Sequence, residues 1–271
     1  MLIRAGYDIA FNCPSYTSMI LQLSVHPSRT SDLRSPDIVG TDPHVATSFY
    51  LDQFGNRVTR VQAPPGTMTF SNRFTISDSG LPDETPIEAP QWPVPRLPDE
   101  TLMFLVSSRY CDSDNLSDLA WSMFGHIQTG YGRVRAICDY VHKHIRFDYL
   151  QARPTRTASD STREGVGVCR DFAHLAIALC RCMNIPARYC TGYLGDIGVP
   201  PDPAPMDFSA WFDAFLEGRW YTFDARHNRP RIGRVLMARG RDAADAAIST
   251  AFGVALLARF DVVTVEVAEA V

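Results

Sequence analysis

The feature that most constrains this chain is a change of hydrophobic period across a proline-dense stretch. Ile3, Ala5, Tyr7, Ile9 and Phe11 alternate with mostly polar neighbours. After a plausible Cys13-Pro14-Ser15 turn, Met19, Leu21, Leu23 and Val25 resume the pattern. Such alternation describes strands with one buried face. Asp52 to Arg57 reads as a further turn, and Val58, Val61, Met68, Phe70, Phe74 and Ile76 return to strand-favouring sequence. With no helical period here, residues 1–80 are expected to form a small antiparallel β domain. The string LPDETPIEAPQWPVPRLP then runs from Leu81 to Pro98. Proline fixes φ and removes a backbone donor, so residues 81–100 are expected to be an extended linker or a strap.

Helical period begins beyond it. Leu116, Leu119, Ala120, Met123 and Ile127 share one face, with Asn115 or Ser117 as a candidate cap. Val134, Ile137, Cys138, Val141 and Ile145 form a second amphipathic stripe. A third helix starts at Cys169, with Phe172, Leu175, Ala176, Leu179 and Met183 as its expected buried face and Pro186 barring continuation. Ala187 to Tyr193 reads as a strand. Ser209 to Leu216 and Arg219 to Asp224 read as a hairpin closed by Glu217-Gly218. Phe260 to Val267 is a last strand, with Val263, Val265 and Val267 on one face. The expected class is α+β: an N-terminal β domain, then a core over 101–271 with a C-terminal β extension.

Composition narrows the function. With 45% hydrophobic and 21% charged residues, the chain has the make-up of a globular protein. A net charge of −4 argues against a general nucleic-acid binder. No apolar run approaches the roughly 20 residues of a membrane span, and the N-terminus lacks a signal-peptide core. Seven scattered cysteines are then expected to be reduced thiols in the cytoplasm. Cys180, Cys182 and Cys190 lack the convergent spacing of a zinc site, so neither a metal nor a cofactor is expected. Arg226, Arg229, Arg231, Arg234, Arg239 and Arg241 form a basic run that could bind an anion, though a solvated or ion-paired surface is the commoner fate.

Cys169 carries the most pointed chemistry. It sits where the Gly165-Val166-Gly167-Val168 turn becomes a helix, and free N–H groups at a helix N-terminus favour a thiolate. A thiol nucleophile needs an imidazole and an orienting carboxylate. If the hairpin loop is Glu217-Gly218, Trp211 faces Asp224 and Ser209 faces Arg226, and the period of two puts all four on one side. His174 is five residues along the helix and rotated away from Cys169; His142 and His144 are expected to face solvent. His227, three residues past Asp224, could curl back toward the thiol.

The strings GVCRDFAHL (167–175), NIPARY (184–189), TGY (191–193), AWF (210–212) and RWYTFD (219–224) resemble the bacterial transglutaminase-like superfamily, whose core is papain-like. The resemblance covers about Leu102 to Asn228, and residues 1–80 resemble the β domain that often precedes that core. It implies Cys169 as nucleophile and Asp224 as the acid. It also marks a departure: the family's histidine precedes Ala-Trp, and that position here is Ser209. A serine hydroxyl cannot replace an imidazole of pKa about 6.5 as base. The expected function is thiol-dependent acyl transfer or amide hydrolysis on a peptide or protein, with Cys169, Asp224, Ser209 and His227 as candidate catalytic residues. Trp211 and Arg226 are candidate substrate contacts. The competing reading is a non-catalytic peptide-binding or assembly module that keeps the fold and has lost the base.

Overall fold

The computed structural model describes residues 1–127 and 130–268. The alternating N-terminal segments form β1 (Leu2–Cys13), β2 (Thr17–Leu21), β3 (Gly40–Asp42), β4 (Thr47–Leu51), β5 (Arg57–Ala63) and β6 (Gly66–Ser77). The middle carries α1 (Asp99–Leu102), α2 (Ser117–Phe124), α3 (Gly130–His144), β7 (Arg146–Phe147), α4 (Ala158–Glu164), β8 (Val166–Gly167) and α5 (Cys169–Cys182). It continues through β9 (Ala187–Tyr193), β10 (Ser209–Leu216), β11 (Arg219–Phe223), β12 (Val235–Gly240), β13 (Ser249–Phe252) and β14 (Leu256–Val267). The class is α+β: an N-terminal β region and a core of helices on the antiparallel sheet β11-β10-β9-β12. No helix among the described residues is long and apolar enough to cross a membrane.

The C-terminal strands do not extend the core as the sequence suggests. β14 pairs antiparallel with β1 along almost its whole length, and β13 pairs with β2. The N-terminal unit is therefore a sandwich of two sheets, β14-β1-β6-β3 and β13-β2-β5-β4, each completed from the far end of the chain. Alternation predicts a strand but not its partner, and the free edge of β1 accepts this one. The phase is also opposite to expectation. Thr264 is buried and Phe260 and Val262 pack on the sandwich core, whereas Val265 is exposed.

Residues 81–100 act as a strap, not a spacer. The Asp83 N–H donates to the Arg231 carbonyl, and the Arg231 N–H donates to the Asp83 carboxylate. Pro90 O accepts from Glu217 N–H, and Ala89 O from Tyr131 N–H. The two units also share apolar packing: Tyr193, Phe208, Val235 and Met237 of the core join Ile3, Tyr7, Ile9 and Phe74 of the sandwich in one cluster.

The stripe on α3 packs as expected, with Val134, Ile137, Cys138, Val141 and Ile145 all buried. The cap of α2 differs: its N-cap is Leu116, without a side-chain cap. α5 is not amphipathic in practice, since Asp171 to Arg181 is buried all round. The helix runs between α3, α4 and the core sheet, so its polar residues need internal partners. Arg181 finds them in the carbonyls of Ala187, Val106 and Arg241.

Two buried histidines make acid stability predictable. Burial, helped by Arg239, lowers the His26 pKa to about 4. Burial likewise lowers that of His174, which stacks on Tyr110 and accepts the Ala243 N–H at Nε2. Each is neutral when folded and gains a proton when unfolded below the ordinary value of about 6.5. Their stabilisation is complete above that value and is lost as pH falls through the folded pKa. Thermal unfolding from pH 7.5 to 4.5 should show a falling midpoint, with His26 alone contributing on the order of 2–3 kcal/mol. A flat midpoint over that range contradicts this account.

Candidate active site

α5 begins at Cys169, with Val168 as its N-cap and Asp171 in its first turn. Asp171 folds its carboxylate back over the helix start, where Oδ2 accepts the Val168 N–H at 2.9 Å. The buried Arg156 holds the same oxygen at 3.1 Å and also bonds Glu164 and the Gln151 carbonyl. A Cβ on Gly167 would lie 2.7 Å from Asp171, so the glycine is required by this fold-back rather than by a substrate. Gly165, with φ of 61°, closes α4 in the left-handed region.

The Cys169 thiol is half-buried. Desolvation pushes its pKa up to about 11, and Asp207 adds to the rise; Arg226, the Ala210 N–H and Arg170 oppose it. The thiolate expected from a helix N-terminus is therefore not the resting state, because desolvation and an adjacent carboxylate outweigh the helix end. Asp207 is itself raised by burial, against the pull of the Phe208 N–H and Arg226.

The hairpin has the expected register, with Leu216 opposite Arg219 and Phe212 opposite Phe223. The loop residues Glu217 and Gly218 both have positive φ, as a two-residue hairpin turn of type I′ requires. The ladder stops at Phe223, so Asp224 and Arg226 do not pair with Trp211 and Ser209. Instead the chain turns, with the Asn228 N–H donating to the Asp224 carbonyl. This turn folds His227 back on Asp224. The backbone N–H and Nδ1 of His227 bond the two carboxylate oxygens, each at 2.9 Å. Arg234 adds a third bond to Asp224 at 2.9 Å. Burial alone would raise the Asp224 pKa, but Arg234 and His227 outweigh it and hold the carboxyl below the usual range. An ionised carboxylate only accepts, so His227 Nδ1 is the donor in this bond and Nε2 is the ring nitrogen turned away from Asp224.

Cys169 and His227 line adjoining cavities. One, of about 390 Å³, holds Cys169, and the next holds His227 and Arg226; Asp207, Phe208 and Ser209 line both. Ser209 is buried, and its hydroxyl has no hydrogen-bond partner among the described residues. Arg226 lies over the Phe147 ring at 3.9 Å. Trp211 is placed elsewhere: it lines a separate cavity, under the Arg234 guanidinium at 4.9 Å. It shares a sheet face with Asp213, while Ala210, Phe212, Ala214 and Leu216 face the helices. Of the other histidines, His174 is sealed in the core, and His142 bonds the Arg226 carbonyl through Nδ1.

The basic run is mostly internal bracing. Arg234 bonds Asp83 and Asp224, Arg231 bonds the Gly195 carbonyl, and Arg241 pairs with Asp245. Sequence reasoning missed Asp207 and Arg156, and named Arg234 only within the basic run, not as a partner of Asp224. Asp207 stands two residues before Ser209 in DFSAWF, and its place beside the family motif was the available signal. Arg156 lies in a polar loop and gave none. Among the described residues no three metal-ligating side chains converge.

Comparison with known proteins bears on the whole arrangement. Residues 117–225 match the model of the transglutaminase-like superfamily. A structure described as a "putative cysteine protease" from Cytophaga hutchinsonii is 33% identical, superposes with a TM-score of 0.85, and matches over 98% of this chain and 90% of its own. The periplasmic domain of TgpA from Pseudomonas aeruginosa is more distant, at 15% identity and a TM-score of 0.40 over 82% of this chain and 87% of its own. An uncharacterized Mycobacterium leprae protein is 37% identical over 67 residues, a match spanning 24% of each chain. With the two units together reproduced in a relative of this identity, and the core matched by the family model, the chain belongs to the transglutaminase-like superfamily.

Proposed function

We propose that this protein performs thiol-dependent acyl transfer or amide hydrolysis on a peptide or protein substrate. Cys169 is the nucleophile, His227 the base and Asp224 its orienting partner. The observation that carries this reading is the hydrogen bond of 2.9 Å between His227 Nδ1 and Asp224. It supplies an oriented imidazole near the place where the family's usual histidine is replaced by Ser209. As the Cys169 sulfur bonds to the carbonyl carbon, its proton passes to His227 Nε2. The imidazolium then gives that proton to the departing amine as the C–N bond breaks. Water or an amine attacks the thioester, loses its proton through His227, and returns the thiol. The raised thiol pKa suits this order, since attack and proton transfer are then one event.

A second reading rests on the same raised thiol and on Ser209: a peptide-binding module without catalysis. Alkylation of Cys169 by iodoacetamide, followed by mass spectrometry from pH 6 to 10, separates the two. The catalytic reading expects wild type to react about tenfold or more faster than His227→Ala near pH 7. Coincident profiles that climb only toward the thiol's own pKa favour the module and overturn the catalytic assignment.

A further inference from the structure

We infer that the cavity beside Cys169 is a specificity pocket for a bulky apolar side chain, and that the N-terminal sandwich builds one wall of it. The inference rests on Cys169 being the reacting group and goes further, to the kind of substrate. Ile9, Phe11 and Leu23 of the sandwich, together with Leu257 and Phe260 of β14, line the same cavity as the helix start. The cavity volume of about 390 Å³ sits at the lower end of the range of small-ligand sites. It suits a single large side chain and the adjoining backbone better than a long groove-bound segment.

Besides Ser209, the polar lining is made of Tyr110, Tyr189, Thr191, Ser249 and two charged residues. The charged residues that line the cavity are Arg170, next to Cys169, and Asp207, two residues from Ser209. They are of opposite sign, so the pocket offers no net charge to select an acidic or basic side chain. Ser209 supplies the remaining argument. Its hydroxyl is buried without a partner among the described residues, and it lines the cavity between Cys169 and the His227 side. A buried hydroxyl is normally paired, so an amide or carbonyl of a bound ligand is its natural complement. The family's histidine would occupy this wall; a serine keeps it open while retaining one hydrogen-bonding group. An apolar side chain in the pocket, with its backbone amide against Ser209, brings its own carbonyl to the Cys169 end.

Two thiol reagents test this without a known substrate. N-methylchloroacetamide and N-(2-phenylethyl)chloroacetamide carry the same warhead, and their rates with glutathione correct for intrinsic reactivity. After that correction, the phenylethyl reagent should label Cys169 about tenfold faster than the methyl one. Ala247→Phe fills the cavity, and Leu257→Asp charges its wall at a position already 57% exposed. Each should bring the ratio to within about twofold of unity while the methyl reagent keeps its rate. Equal corrected rates in the wild type overturn the proposal. So does a preference that survives both substitutions. Labelling needs no turnover, so this outcome is separate from whether His227 activates the thiol.

Discussion

Cys169→Ala is expected to abolish turnover, and His227→Ala to lower it by about 10²–10⁴-fold with the fold intact. The readout is release of a fluorogenic amine from a peptide amide with a phenylalanine acyl residue, run with and without an added primary amine as acceptor. The two substitutions act at different points. Removing the sulfur removes the atom that forms the thioester, so no covalent intermediate remains. Removing the imidazole leaves a thiol pushed up to about 11 that must lose its proton without help. At pH 7 roughly one molecule in 10⁴ would then carry a thiolate. Raising the pH should restore much of the His227→Ala rate, because hydroxide takes over the base's task, and should restore nothing in Cys169→Ala. The His227 side chain is 21% exposed and its only described hydrogen bonds go to Asp224, which keeps Arg234 as a partner, so its loss should leave the fold intact. Unchanged turnover in either variant would remove that residue from the mechanism.

Arg234→Met should be the most damaging single change to stability. The guanidinium is buried, bonds both oxygens of Asp83 at 3.0 Å and one oxygen of Asp224 at 2.9 Å, and covers Trp211. Methionine keeps much of the volume but leaves two shielded carboxylates facing each other without their cation. Breaking a buried pair in this way costs about 3–5 kcal/mol. For a chain of this size that corresponds to a fall in the midpoint of thermal unfolding on the order of 10 °C. The pH dependence should change as well. Asp224 is depressed when folded, so its contribution is present above the ordinary aspartate value of about 3.9 and is lost as pH falls through the lower folded value. Without Arg234 the carboxyl rises, and the variant should lose less stability than wild type below pH 4. Hydrogen exchange should quicken around Asp83, whose strap loses its anchor. A midpoint within 2 °C of wild type, to an order of magnitude, would mean the cluster is solvated enough to need no counter-charge.

Legibility in the sequence followed the range of the interaction. The Glu217-Gly218 turn fixed the pairing of β10 with β11 because loop length and turn type set register locally. The stripe of Val134, Ile137, Cys138, Val141 and Ile145 was equally readable, since one helix face is a local property. The site was readable only in part. Cys169, Asp224 and His227 could be singled out, but nothing local says that the ladder ends at Phe223, which is what lets His227 turn onto Asp224. Trp211 shows the opposite failure. Its place in a motif beside Ser209 suggested a substrate contact, while the alternation of β10 and the arrival of Arg234 from the next loop put it in another cavity. The arginine run read as surface because its partners, Asp83 among them, come from distant segments. The destination of β14 was invisible for the same reason: an alternating strand does not name the edge it will join.

The return of β13 and β14 to the N-terminal sheets has a consequence for biosynthesis. Strands β1 to β6 hold most of a sandwich but lack an outer strand of each sheet until β13 and β14, which follow the whole helical core in the chain, have been made. During that interval the edges of β1 and β2 stand open on the nascent chain, and the helical core can mature ahead of them. The pocket wall supplied by Leu257 and Phe260 then forms later than the helix that carries Cys169. The Cys169 thiol therefore acquires that side of its surroundings only after β14 has been made and has paired with β1.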